Sequence, residues 1–245
     1  MRSTVADGRA TYSLTFLNSC IRQIRESTLR QTLDVFKRRL DALGVRRPTV
    51  RISQVNVKDV LDQIVVELPG IDDPDRLKGL IENTGRLELK FVKQDNGGPF
   101  SSFEAAVQAN DGRIPDGFEI LPYRQKLQQV EYMIVKTVPT ITGRDVKTAR
   151  RGTDLSGKPA VNFFLNKEGA AMFSRTTERH IGERLAIVLD STVFSAPVIR
   201  ARIEDEGIIE GGFTSREADD LALLLRSGAL PASVRILKEE PVSPK

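Results

Sequence analysis

GGFTSREADDLALLLRSGALP, residues 211–231, reads as a complete helix with both ends marked. The Thr214 side chain can accept from the backbone N–H of Glu217 while Glu217 reaches back, the reciprocal pattern of a capping box. Asp219 and Asp220 in the early turns and Arg226 in the last turn suit the helix dipole. Ala218, Leu221, Ala222 and Leu225 follow the i, i+3, i+4, i+7 spacing of one buried face. Gly228 supplies a left-handed C-terminal stop, and Pro231 prevents continuation. Burying Leu221 and Leu225 contributes about 1.5–3 kcal/mol each, against about 1 kcal/mol for the cap. Packing therefore decides that the helix forms, and capping decides where it ends.

Working outward, residues 1–10 are polar and expected to fray. Tyr12, Leu14 and Phe16 alternate as a half-buried strand. A long helix follows from about Asn18, with Leu29, Leu33, Phe36, Leu40 and Leu43 inward, and Gly44 stops it. Its opposite face carries Arg30, Lys37, Arg38 and Asp41 and reads as solvated. Strands are expected over Thr49–Val55 and Gln63–Leu68, and a helix from Asp73-Pro74 to Gly85. Leu87, Leu89 and Phe91 alternate as a further strand. That order, strand–helix–strand–strand–helix–strand, is the βαββαβ plan of a ferredoxin-like unit.

From Asp95 to Gln129 the pattern breaks into a linker-like insertion with a short helical patch at Phe103–Ala109. Strands resume at Tyr132–Val138 and Ala160–Leu165. Asn166 caps a helix to about Glu178, and Arg184–Leu189 with Val193–Arg200 form a hairpin around Asp190-Ser191, with Pro197 marking a bulge or an edge. A strand at Gly207–Gly211, the 214–227 helix and a last strand at Ser233–Lys238 give a second βαββαβ order with one strand extra.

The chain of 245 residues, 40% hydrophobic with net charge +4, has ample core-forming content and a mixed surface. Its single cysteine, Cys20, excludes an intrachain disulfide and a cysteine-rich metal site. No run of about 18 apolar residues spans a bilayer, and no signal-peptide hydrophobic region follows Met1.

Candidate chemistry is sparse. His180, the lone histidine, lacks co-ligands for zinc and sits at a helix end, a structural position. Asp190 ends the strand AIVLD, where α/β enzymes place acids, but a tight turn follows and favours a hairpin role. Glu204-Asp205-Glu206 lacks calcium-loop spacing. Gly211-Gly212 precedes a helix without the lysine or glycine spacing of a phosphate loop. The basic segment Arg144, Lys147, Arg150, Arg151 raises nucleic-acid binding, but the strands IVVELPG and LAIVLDS lack the aromatics that would stack bases. No catalytic residue, metal ligand or cofactor site is identified, and the chain reads as no enzyme.

Three stretches, in order, carry a family resemblance: LGVRRPTV…QIVVELPGIDDPDRLKGLIENTGRLELKFV, LAIVLDSTVFSAPVIRARI, and GGFTSREADDLA running into LLLRSGALPASVRILKEEPV. Together they resemble the first periplasmic domain of SecD, a subunit of bacterial protein export. The resemblance covers residues 12–242 apart from the irregular central stretch. It implies an extracytoplasmic domain of a bacterial inner-membrane protein, on the periplasmic side, that binds emerging unfolded preprotein. Assistance would come from movement of a head against a base, coupled to the proton-motive force through membrane helices. Implied partners are SecF and the SecYEG translocon; nucleic acid is not among them, and membrane contact runs only through flanking helices. Lacking those helices, the chain is expected to be an excised soluble domain. The competing reading is a nucleic-acid- or phosphate-binding ferredoxin-like module.

Because the resemblance places membrane helices beyond both ends, both termini belong on one side. The expected fold is therefore α+β, a ferredoxin-like base of residues 1–94 plus 229–245 with an α+β head of residues 95–228 inserted. In this arrangement Val92, Lys93 and Gln94 form one strand of a hinge, and Gly228, Ala229, Leu230 and Pro231 the other. Ser233–Lys238 would then pair with a strand of the base.

Overall fold

The computed structural model describes residues 2–6, 9–13, 18–45, 47–53, 63–69, 73–124 and 130–240. It is a mixed α+β structure with several sheets. β1 (Arg2–Ala6) and β2 (Arg9–Ser13) form an antiparallel hairpin, so residues expected to fray take part in a ladder; residues 14–16 of the expected first strand lie outside the described ones. α1 (Asn18–Ala42) is followed by the antiparallel pair β3 (Thr49–Ser53) and β4 (Gln63–Glu67), and then by α2 (Pro74–Glu82). The helix ends are chemical. The Asp73 side chain accepts from the Arg76 N–H with Pro74 in the first turn. These elements, with Leu230 and Val234 from the far end of the chain, share a core of Val35, Phe36, Val50, Ile64, Val66 and Ile81.

β5 (Leu87–Phe91) departs from expectation. Rather than completing a sheet with β3 and β4, it lies between β11 (Leu185–Leu189) and β8 (Ile141–Thr142). The alternation in L-E-L-K-F suggests a strand buried on one face, but all five residues are buried. Leu87, Leu89 and Phe91 enter the large core, while Glu88 and Lys90 are buried on the other face by pairing with each other. Among the described residues the four-stranded βαββαβ sheet is thus not formed, and the second half divides its strands between two sheets.

The first of these has the order β7-β6-β12-β11-β5-β8, with β6 (Phe118–Tyr123), β7 (Glu131–Lys136) and β12 (Thr192–Ser195). It curls: Val92 bridges Val135 and the Lys93 N–H reaches the Ile134 carbonyl at 2.9 Å, bringing β5 against β7 at the far end of the order. Inside lies a second core that includes Val92, Leu121, Met133, Val135, Val188 and Val193. β6 and the helix α3 (Phe103–Gln108) fall in the stretch expected to be linker-like.

The other sheet has the order β13-β10-β9, with β9 (Val146–Thr153), β10 (Pro159–Leu165) and β13 (Glu206–Ile209). α4 (Lys167–Arg179), capped by Asn166 as the sequence predicts, and α5 (Ser215–Ser227), with the predicted capping box, pack in the large core. The predicted face of α5, Ala218, Leu221, Ala222 and Leu225, is buried there. Leu223 and Leu224 are buried too, on its other side, against Leu80 of α2 and Leu43.

Ser233–Lys238 forms no strand. It lies along the first core by two contacts, Val234 packing into it and the Ile236 N–H donating to Glu82 Oε1 at 2.9 Å, and just beyond it Glu239 pairs with Lys78 at 2.7 Å. Ile236 and Leu237 are exposed. Among the described residues no helix is long and apolar enough to cross a membrane.

Candidate functional site

The two groups of cores meet at one junction, and a single buried arginine organises it. In α1 the buried positions are Thr32, Val35, Phe36, Arg39 and Leu40, a stripe of helical period. Arg39 falls on that stripe and is 1% exposed. Its Nη1 donates to the carbonyls of Leu80 and Asn83, both at 2.6 Å. Its Nη2 donates to those of Thr84 at 3.0 Å and Gly228 at 3.3 Å, and its Nε to Ser227 Oγ at 3.3 Å. All five guanidinium N–H groups are thereby used.

The acceptors explain why the charge is tolerated without a direct ion pair. They lie at the carboxyl ends of α2 and α5, where helices leave carbonyls unsatisfied and the dipole is negative. Burial pulls the Arg39 guanidinium down to about 10, with the Asp190 charge acting in the opposite sense and Arg38 adding to the fall. It remains charged at neutral pH.

Asp190 holds the same segment from the other side. With Ser191 it turns from β11 to β12 at φ values of +46° and +63°, the left-handed pair that a tight hairpin needs. Its carboxylate accepts from Thr84 Oγ1, from the Gly85 N–H at 3.2 Å and from the Arg86 N–H at 2.9 Å. Residues 84–86 thus offer carbonyls to Arg39 and N–H groups to Asp190. Gly85, at φ +69°, has Arg39 Nη2 3.2 Å from where a Cβ would stand, so a side chain there would be both strained and crowded. The second crossing runs alongside: Gly228 has φ +86°, and the Leu230 N–H donates to the Thr84 carbonyl at 2.8 Å.

The expected hinge residues are therefore treated differently by the fold. Gly228, Ala229, Leu230 and Pro231 lie at the junction, with Leu230 buried in the first core. Val92 and Lys93 do not; their backbone N–H groups are bonded to Arg184 and Ile134 within the curled sheet, and Gln94 is in an exposed turn. Residues 83–86 adjoin Gly228 and Leu230 at this junction. Asp190 was placed in the hairpin by its sequence context, but its grip on residues 84–86 was not legible. Arg39 was missed, although its position three residues after Phe36 and seven after Thr32 is a signal.

The remaining candidates have structural partners. The His180 ring lies 4.4 Å from that of Phe91, tilted by 33°, and its Nδ1 lies 2.8 Å from the Thr176 carbonyl. Within the basic segment, Arg150 lies over the Phe164 ring and Arg151 pairs with Asp219 at 3.1 Å. In the acidic turn, Glu204 pairs with Arg202 at 3.2 Å and the Asp205 carbonyl accepts from the Leu165 N–H. Among the described residues no group of acidic, histidine or cysteine side chains could hold a metal ion. An open cleft of about 520 Å³ lies beside the edge strand β13, lined by Leu89, Phe163, Phe173, Ile187, Ile199 and Ile208 among others.

Two family profiles match the chain. Residues 29–94 match the family profile "Protein translocase subunit SecDF, P1 domain, N-terminal", and residues 118–232 match "SecDF, P1 head subdomain". The protein translocase subunit SecD of Aquifex aeolicus (strain VF5) is 41% identical over 230 residues, 94% of this chain and 42% of the relative. That of Rhodobacter capsulatus is 40% identical over 221 residues, 90% of this chain and 36% of the relative. The chain thus spans less than half the length of these relatives. A solved structure of a membrane component SecDF that enhances protein export superposes with a TM-score of 0.66 at 33% identity, covering 88% of this chain and 94% of that one. SecDF in its super-membrane-facing form gives the same score and identity over 86% of this chain and 28% of that one.

Proposed function

The chain belongs to the SecD/SecDF family as its periplasmic P1 domain, part of a protein-translocation subunit and not an enzyme, and from that premise we propose how it acts. The domain sits on the periplasmic side of the bacterial inner membrane, captures emerging unfolded preprotein and assists export by moving a head against a base. The base consists of the core around Phe36, including α1, α2, the β3–β4 pair and the segment after Gly228. The head is everything between the two crossings, inserted into it. Membrane helices elsewhere in the protein couple that movement to the proton-motive force, with SecF and the SecYEG translocon as partners.

One observation carries this reading: separate cores joined by two adjacent backbone crossings, Asn83–Arg86 and Ser227–Leu230. Few backbone segments need to change for the two bodies to reorient, which is what a hinge requires. The apolar cleft beside β13 supports capture, since an extended chain can present apolar side chains to a cleft and backbone groups to a strand edge. The test is titration of the chain with a reduced, permanently unfolded secretory protein, followed by fluorescence anisotropy. Saturable binding, absent with the folded form and weakened by Ile208→Asp, is expected. Equal indifference to both forms overturns the capture role.

A further inference from the structure

The same contacts give the movement a direction. α2 and α5 meet through their side chains and run the same way: Asp73 meets Arg216, Arg76 meets Asp220, Leu80 clusters with Leu223 and Leu224, and Thr84 meets Leu230. The two ends of this interface differ in kind. At the amino ends it is held by side-chain ion pairs. Arg76 donates to Asp220 from Nε and Nη2 at 2.9 and 2.6 Å, and Arg216 pairs with Asp73; side-chain exposure ranges from 22% to 59%. Such pairs are weakened by solvent and by salt, because charges are screened over about 8 Å at physiological ionic strength. At the carboxyl ends it is held by Arg39, wholly buried, with every N–H group bonded to the two helix ends and the crossings. Parting this end would leave buried carbonyls and a buried charge unpartnered, the costliest way for an interface to open. Between the ends lies only a small apolar cluster, Leu80, Leu223 and Leu224 with Leu43 beside them, against the extensive cores on either side.

We propose that head and base open like a jaw: the amino ends of α2 and α5 part as the Asp73–Arg216 and Arg76–Asp220 pairs release, while Arg39 stays bonded and serves as the pivot. Arg39 is thus a positioning residue, fixing the axis about which the head turns. This rests on the head-and-base reading above, and it adds which contacts break and which persist.

The test measures distances in the whole 245-residue chain by pulsed electron resonance, with Cys20→Ser removing the native thiol. One spin-label pair, Asp75→Cys with Ser215→Cys, reports the amino ends; a second, Asn83→Cys with Ala232→Cys, reports the carboxyl ends. Raising salt from about 0.05 to 1 M, or adding Arg76→Gln with Arg216→Gln, is expected to create a longer amino-end population while the carboxyl-end distance holds. Arg39→Met and Arg39→Lys are expected to broaden the carboxyl-end distance, the lysine less. A destabilised but unhinged protein would instead shift only its unfolding midpoint. Amino-end distances unmoved by both salt and the double variant, or both pairs lengthening together, overturn the proposal. No preprotein enters this experiment, so failure of preprotein capture would count against the export reading and leave the jaw geometry standing.

Discussion

Arg39 on the first helix and Gly228 just past the last are 189 positions apart in sequence, yet Arg39 Nη2 donates to the Gly228 carbonyl at 3.3 Å. The bond closes the chain upon itself at the end of α5. It makes α1 a structural partner of the second crossing, while Thr84 makes the same guanidinium a partner of the first.

Arg39→Met removes the donors for four carbonyls and one hydroxyl in a buried site. Each orphaned buried acceptor costs about 1–3 kcal/mol, and the losses are not additive. A loss of about 3 kcal/mol or more is expected, visible as a lower urea midpoint at unchanged slope. Arg39→Lys recovers only part of it, because an ammonium has three donors and lacks the planar fork.

Phe36→Ala tests the core of the base. Phe36 is 3% exposed and packs with Val35 and Leu230. A loss of about 3–5 kcal/mol is expected. A midpoint equal to that of the parent would contradict the position of α1.

Lys90 tests the curled sheet. It is 5% exposed on its side chain and contacts Glu88 at 2.9 Å and Glu119 at 2.5 Å. Burial alone would pull its ammonium down, but Glu119 and Glu88 together hold it above the usual lysine range. Its stabilisation is therefore present at neutral pH and is lost only as pH rises through the raised folded value. Lys90→Met leaves Glu88 with Arg86, 2.6 Å away, as its remaining cation, so the loss should fall short of the about 3–5 kcal/mol of an unpaired buried charge. Lys90→Met combined with Glu88→Leu should recover most of that loss in the same denaturation experiment.

Acid should loosen the Asp73–Arg216 pair at the amino ends. The Arg76 N–H, then the Arg216 charge and side-chain bond, hold the Asp73 carboxyl below its ordinary 3.8 despite opposing desolvation. A depressed folded value means the contribution is complete above about pH 4 and disappears as pH falls through the folded value. The amino-end label pair should therefore lengthen in acid, with Asp73→Asn already lengthened at neutral pH. Asp73→Asn behaving as the parent at every pH would remove this pair from the interface.

The sequence made the helices legible because their signals are local. The Thr214–Glu217 box, the Asn166 cap and the Asp73-Pro74 start all stand where predicted. Strand partnership was less legible. L-E-L-K-F announces a strand at Leu87–Phe91, but nothing in those residues states that its neighbours are Leu185–Leu189 and Ile141–Thr142. Burial of Lys90 depends in part on Glu119, twenty-nine positions away, which the local alternation does not announce. The junction was half legible for the same reason: Gly228 and Pro231 carry local stop signals, whereas residues 83–86 are fixed there by what Arg39 and Asp190 bring to them.

The most direct measurement is proton-motive-force-driven export of a secretory preprotein in membrane vesicles carrying the whole subunit, with Asp75→Cys and Ser215→Cys bridged by a short bismaleimide. Bridging α2 to α5 prevents head and base from parting, so the force-dependent gain in export should vanish, while the same variant left unbridged exports as the parent does. Equal export from bridged and unbridged protein would contradict the account.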